Sequence, residues 1–226
     1  KNMSLRVGIL IPAYNESEQI GDLIRKLRSM NFEPIVIDDG SKDNTAEIAK
    51  KGGATVIRHD RNLGKGAALK TGFSFILSSD YDAALIMDGD AQHSPVDISK
   101  LIAAAEKNPN ALILGNRMSN APNMPFTRKL TNKFMSFLVS IICRQTIPDS
   151  QCGFRLIRKN ILKKITVESS RFEVESEILV KASAAGVKII SVPIETLYGT
   201  EFSQINPFWD TCRFIYFLLR LAFKNR

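Results

Sequence analysis

The chain is poor in the features that mark several common protein classes. Its three cysteines, Cys143, Cys152 and Cys212, are odd in number and scattered, with no CxxC pair. That excludes a disulfide framework and suggests buried thiols in a reducing cytosol. The first apolar run, Val7–Ile11, is too short for a secretory leader and stops at Pro12. There is no internal repeat, low-complexity tract or long linker. A glycine-rich GxGxxG run is missing after the first apolar segment, which argues against a dinucleotide fingerprint and a nucleotidyltransferase. The segment Arg61-Asn62-Leu63-Gly64-Lys65-Gly66 lacks the full GxxxxGK[ST] pattern, so a P-loop is excluded. Aromatic residues are not interleaved with the basic ones in the manner of a base-stacking surface, so nucleic acid is not an expected partner.

What is present fits one large α/β domain of 226 residues. The formal charge is +8, and its distribution is uneven. From Arg117 to Lys164 ten Lys/Arg stand against a single acid, Asp149, whereas the first hundred residues are nearly balanced. Such a basic segment suits an anionic partner, although a merely solvated basic face has the same composition.

Short apolar runs alternate with helical patterns through the first half. Strands are expected at Arg6–Ile11, Pro34–Ile37, Ala54–Arg58, Ala83–Met87 and Ala111–Leu114. Helices are expected at Glu18–Met30, Asn44–Lys51, Gly64–Ser78 and Pro95–Lys107. This spacing indicates a mostly parallel sheet with helices on both faces, in which ligands bind beyond the carboxyl ends of strands. Those ends carry Asn15-Glu16, Asp38-Asp39, Asp88 with Asp90, and Arg117. In the second half, Phe126–Arg144 reads as an amphipathic helix with Phe126, Leu130, Phe134, Leu138 and Ile141 on one face, and Arg128, Lys129 and Lys133 elsewhere. Ser170–Ala185 reads as a helix and Lys188–Pro193 as a strand. The tail, Asp210–Phe223, is apolar on most sides but too short to span a bilayer. It suits an interfacial helix with Trp209 near headgroup level, or a helix docked on the sheet.

Asp88-Gly89-Asp90 places two carboxylates at a strand end, where they can share a hard cation such as Mg²⁺ or Mn²⁺. Asp-Gly is also ordinary turn chemistry. Gln92 and His93 follow as further polar groups. Pro12-Ala13-Tyr14-Asn15-Glu16 offers a fixed turn, a ring and a carboxylate suited to a base or ribose, and Glu16 also suits a helix first turn. Asp38-Asp39-Gly40-Ser41 is a turn and N-cap by default, or a base or ribose clamp if the strand ends converge. Lys65, bracketed by glycines at a helix start, is a candidate neighbour of a phosphate.

Seven segments in order resemble the GT-A glycosyltransferases of family 2, in the branch of dolichyl-phosphate mannosyltransferases and polyprenyl-phosphate glycosyltransferases. They are PAYNE (Pro12–Glu16), DDGS (Asp38–Ser41), NLGKGAAL (Asn62–Leu69), DGDAQH (Asp88–His93), GNR (Gly115–Arg117), CGFR (Cys152–Arg155) and FEVESEIL (Phe172–Leu179). The resemblance implies a Rossmann-like catalytic domain over residues 1–200, then a loop and amphipathic helix over 201–226. It implies that Pro12, Tyr14 and Glu16 line a GDP- or UDP-sugar, with Val36, Asp38 and Asp39 toward the base or ribose and Lys65 and Gly89 beside the phosphates. Asp88, Asp90 and Gln92 would hold Mg²⁺ or Mn²⁺. Arg117 and Arg128, with Ser136, would meet the phosphate of a polyprenyl lipid at the cytoplasmic face of a membrane, and transfer would invert the sugar carbon. A phosphate acceptor is already anionic, so it needs cations rather than a base.

Two departures and two competing readings accompany the resemblance. The loop Tyr198–Pro207 has no lysine or arginine, where members of this branch often carry basic residues near the donor phosphates. Glu175 stands where family 2 enzymes that act on sugar hydroxyls place a base, so a saccharide or glycolipid hydroxyl is the alternative acceptor. Glu175 and Glu177, two residues apart on a helix, do not share a face, so only one is expected at the site. A nucleotide- or nucleic-acid-binding module without transferase activity is the third reading, disfavoured by the intact DGD.

Overall fold

The computed structural model describes residues 5–119, 124–171, 173–195 and three residues of the tail, Phe214, Phe217 and Leu218. Its strands are β1 (Val7–Ala13), β2 (Glu33–Asp38), β3 (Thr55–Arg58), β4 (Ala83–Ile86), β5 (Ala111–Asn116), β6 (Arg155–Arg158) and β7 (Lys188–Pro193). They form one seven-stranded sheet in the order β3-β2-β1-β4-β6-β5-β7. Every pairing is parallel except those of β6, which runs antiparallel to both β4 and β5. The helices are α1 (Ile20–Ser29), α2 (Thr45–Lys51), α3 (Lys65–Ser78), α4 (Ile98–Lys107), α5 (Phe126–Cys143), α6 (Lys159–Leu162) and α7 (Val174–Ala184).

The apolar runs explain the centre of the sheet. All four residues of β4 are buried, and six of the seven in β1. Successive side chains of a strand point to opposite faces, so these strands are covered on both. The strand expected to stop at Pro12 continues to Ala13, paired with β2 through Asp38. α1 buries Ile20, Leu23, Ile24 and Leu27, the helical stripe read from the sequence. Two elements, β6 and α6, were not expected.

The elements α1 and α2 pack together, as do α3 with α6 and α7, and α5 with α7. Of the tail, Phe214 and Leu218 are buried in the core and Phe217 packs against it. The domain division at residue 200, the loop Tyr198–Pro207, Trp209 and Cys212 lie outside the described residues. Cys143 and Cys152 are buried free thiols. Burial pushes them up to about 11 and about 12, which makes them unreactive.

α5 turns the apolar stripe read from the sequence outward. Its buried face carries Asn132, Ser136, Val139 and Cys143. The large apolar residues left exposed are Phe126, Leu130, Phe134, Phe137 and Ile141, so Phe137 rather than the half-buried Leu138 completes the stripe.

Candidate functional site

The strand order reverses at β1, with β2 on one side and β4 on the other. A crevice is expected beyond the carboxyl ends of such a pair. A cavity of about 410 Å³ lies there, lined by Pro12, Tyr14, Glu16, Asp39, Lys65, Asp88, Gly89 and Asp90, among others. Val36 and Asp38 are fully buried and do not line it.

The segment after β4 is held from several directions. Asp88 Oδ1 lies 2.6 Å from Lys65 Nζ, and Oδ2 lies 3.5 Å from His93 Nε2. His93 is itself buried and stacks on Phe154, with ring centroids 5.1 Å apart. Burial works to raise the Asp88 carboxyl, but Lys65 and His93 overcome it and hold the group well below the usual carboxylate range. Burial and the charge of Asp88 push Asp90 upward. The turn between them and His93 is tight: Ala91 adopts φ +54°, and Gln92 N–H donates to Asp90 Oδ1 at 3.0 Å.

These residues fit a divalent cation. Two crowded carboxylates, one of them resisting ionisation because of its burial and the charge of the other, form an arrangement that added positive charge relieves. Among the described residues no three His, Cys, Asp or Glu side chains group as a complete metal shell. Mg²⁺ needs fewer protein ligands than that, taking one or two carboxylates together with substrate phosphates.

Gly153, at the entry to β6, approaches the same carboxylate. A methyl group there would lie 2.5 Å from Asp88 Oδ2 and 3.0 Å from Oδ1. In the CGFR segment, this close approach is what the glycine provides.

The two neighbouring loops are cross-tied. Asn15 N–H donates to Ser41 Oγ at 2.9 Å and Glu16 N–H to Thr45 Oγ1 at 2.8 Å. Asp38 accepts from Ser41 N–H and pairs with Arg58 Nε at 3.0 Å. Asp39 accepts the N–H groups of Leu63 and Gly64 and bonds His59 Nδ1 at 2.7 Å, which holds the 62–64 loop over the cavity. The start of α3 is capped by the chain itself, because Gly66 and Ala67 N–H donate to Ser170 O. Methyl groups at Gly64 and Gly66 would lie 2.3 Å from the Ser170 and Ser169 carbonyl oxygens. With those amides occupied, the Lys65 side chain is the group at this helix start that reaches Asp88.

Lys65 Nζ also lies 2.5 Å from Glu175 Oε1. Burial lowers the lysine, yet Asp88 and Glu175 outweigh it and raise it above an ordinary ammonium. The other oxygen of Glu175 faces Arg155 Nη2 at 3.4 Å. Arg155 is fully buried and also donates to the carbonyls of Cys152, Ser150 and Glu175. Glu177 faces elsewhere, accepting Glu168 and Ser169 N–H at 2.8 Å each and pairing with Lys181. Of the two, only Glu175 contacts Lys65 of the cavity lining, and neither acid is exposed.

Arg117, which follows β5, is buried, and two of its three guanidinium nitrogens are engaged by Asp149. Its Nε lies 2.8 Å from Asp149 Oδ2 and its Nη2 lies 2.9 Å from Oδ1. Asp149 is the single acid of the basic segment, and that isolation was the sequence signal for a partner. Arg128 is half-buried near the start of α5 and has no ion pair among the described residues. Ser136 Oγ accepts Ser150 N–H at 2.9 Å, so its hydroxyl ties α5 to the loop before β6.

Comparisons with known proteins agree with this architecture. Residues 8–166 match the family model described as Glycosyl transferase family 2. The UDP-N-acetylglucosamine–dolichyl-phosphate N-acetylglucosaminyltransferase of Methanococcus voltae is 34% identical over 219 residues, covering 87% of this chain and 87% of that protein. The dolichol-phosphate mannosyltransferase of Pyrococcus furiosus is 32% identical over 202 residues, covering 84% of this chain and 56% of that protein. Glucosyl-3-phosphoglycerate synthase from Mycobacterium tuberculosis, in complex with Mn²⁺, uridine-diphosphate-glucose and phosphoglyceric acid, matches with a TM-score of 0.73. It is 16% identical, and the match covers 96% of this chain and 80% of that one, a likeness of fold.

Proposed function

The chain belongs to glycosyl transferase family 2, with the GT-A type of α/β fold, and from that premise we propose that it glycosylates a polyprenyl phosphate. The donor is a GDP- or UDP-linked sugar, and the acceptor is a lipid of the dolichyl or undecaprenyl type. The observation that carries this reading is the placement of Asp88 and Asp90 in the cavity at the β1–β4 crevice, in a chain related to dolichyl-phosphate transferases.

The chemistry is a direct displacement with inversion. A phosphate oxygen of the lipid attacks the anomeric carbon while the bond from that carbon to the nucleoside diphosphate breaks. Asp88, Asp90 and Gln92 would hold Mg²⁺ or Mn²⁺, which would supply positive charge for the leaving diphosphate. Pro12, Tyr14, Glu16, Asp39 and Gly89 line the donor side. Arg117 contributes through its remaining Nη1 and Arg128 through a guanidinium with no ion pair among the described residues, both toward the lipid phosphate. The hydroxyl-acceptor alternative needs Glu175 as base. Its two oxygens face Lys65 and Arg155, which leaves it poorly placed to collect a proton.

Membrane association, which we assign to the cytoplasmic face, is supported by α5. Phe126, Leu130, Phe134, Phe137 and Ile141 are 44–79% exposed, and they recur at intervals of three and four residues along one side. That stripe is about 23 Å long at 1.5 Å per residue. Lys129 and Lys133, beside the stripe on the same helix, have no ion pairs among the described residues. An apolar stripe flanked by free cations fits the boundary of an anionic bilayer. No described helix is long and apolar enough to cross a membrane.

Two measurements test this reading. Purified protein given GDP- and UDP-sugars, Mn²⁺ and a short polyprenyl phosphate should form a lipid-linked sugar, and chelation should abolish it. Product only on saccharide hydroxyls would favour the alternative. The pair Phe134→Asp and Phe137→Asp should reduce sedimentation with anionic vesicles at least tenfold, because each buried phenyl ring contributes about 1.5–3 kcal/mol. Transfer to a short, water-soluble polyprenyl phosphate should be retained. Unchanged sedimentation would remove α5 from the membrane contact.

A further inference from the structure

We propose that Lys65 makes metal loading of the cleft conditional on the donor, by holding Asp88 until a cation takes that carboxylate and then retreating to Glu175. This deepens the proposed function and rests on Asp88 and Asp90 being the metal-bearing side of a donor cleft.

A single ammonium lies between two carboxylates from different parts of the chain, 2.6 Å from Asp88 and 2.5 Å from Glu175. Its backbone cannot follow a displaced partner. Gly64 holds φ +96°, and both Gly64 and Gly66 sit against the carbonyls of Ser169 and Ser170. Any movement of the ammonium is therefore a rotation of the lysine side chain. Glu175 is kept ready to receive it by Arg155, which faces its second oxygen and bonds its own backbone carbonyl.

A divalent ion arriving alone at Asp88 meets this ammonium at close range, where like charges repel strongly. A nucleoside diphosphate brings negative charge that compensates both cations, so the ion enters readily only with the diphosphate. Lys65 and Glu175 act on the reaction through Asp88, which makes them positioning residues. Glu175 then has a role in a phosphate-acceptor enzyme that needs no proton transfer.

The test is Mn²⁺ binding, followed by electron paramagnetic resonance of the free ion, with and without GDP or UDP. In nucleotide-free protein, Lys65→Met should tighten Mn²⁺ about tenfold, equivalent to about 1.4 kcal/mol. Glu175→Gln should weaken it several-fold, because the ammonium is then left to Asp88 alone. Opposite signs cannot arise from a shared loss of structure. The enhancement of Mn²⁺ binding by the diphosphate should fall about tenfold in Lys65→Met. If that variant does not fold, Lys65→Gln should show the same tightening. Intact Mn²⁺–diphosphate binding by the wild type, with no tightening in the Lys65 variants, overturns the inference alone. Failure of the wild type to bind Mn²⁺ with either diphosphate overturns the donor-cleft reading and the inference together.

Discussion

Gly153→Ala is expected to lower sugar transfer about a hundredfold while leaving the melting temperature within a few degrees of wild type. The added methyl would sit 2.5 Å from Asp88 Oδ2 and 3.0 Å from Oδ1, with Asp88 Cγ at 3.1 Å. Those three atoms belong to one side chain, so the fold relieves the clash by turning the carboxylate away. No backbone atom is among them. The rotation separates Asp88 from Lys65 and His93 and moves a carboxylate that the proposed metal requires. Misplacing a reacting or positioning group by about 1 Å costs on the order of a hundredfold. Steady-state transfer rates with Mn²⁺, together with a thermal melt, check this. A fully active Gly153→Ala protein would mean that Asp88 need not hold its observed position.

Arg117→Ala is expected to lower the melting temperature by about 10 °C, more than any other substitution on the acceptor side. Asp149 is completely buried, and its carboxylate accepts Arg117 Nε, Nη2 and backbone N–H. Removing the guanidinium leaves an uncompensated buried charge, which costs about 3–5 kcal/mol. In a chain of this size each kcal/mol is worth about 2–4 °C. Arg128→Ala removes no ion pair among the described residues and should leave the melt unchanged, while reducing transfer to lipid phosphate at least tenfold. Loss of activity in Arg117→Ala is therefore not by itself a sign of phosphate contact. The pair is separated by differential scanning calorimetry beside transfer assays on both variants. Equal melting temperatures would show that the Arg117–Asp149 pair does not brace the fold.

Much of this architecture was legible because the sheet centre is built from uninterrupted apolar runs. β1, β2, β4 and β5 each announce themselves that way, and polar groups at their ends marked the crevice. β6 was not legible for a physical reason. Its four residues, Arg155–Arg158, begin and end in arginine, and the burial of Arg155 is settled by Glu175 and by carbonyls at Ser150 and Cys152. α5 shows a different limit. Periodicity finds an apolar stripe but not which way it faces, and here the stripe faces outward while Asn132 and Ser136 face in.

The site shows the same division. The cavity gathers Pro12, Tyr14, Glu16, Asp88 and Asp90 because they follow adjacent strands. Asp38 and Asp39 look equivalent in sequence, yet successive strand residues point to opposite sides, and only Asp39 reaches the cavity. The Lys65–Glu175 contact spans 110 positions along the chain, which no local pattern reveals.

The most direct measurement is an anomalous-scattering map of crystals soaked with Mn²⁺ and a nucleoside diphosphate. The predicted result is a manganese peak bonded to the Asp88–Asp90 carboxylates, with the diphosphate beside it in the β1–β4 crevice. A nucleotide bound away from that crevice, or manganese held by other residues, would contradict the assignment of this cleft to a sugar donor.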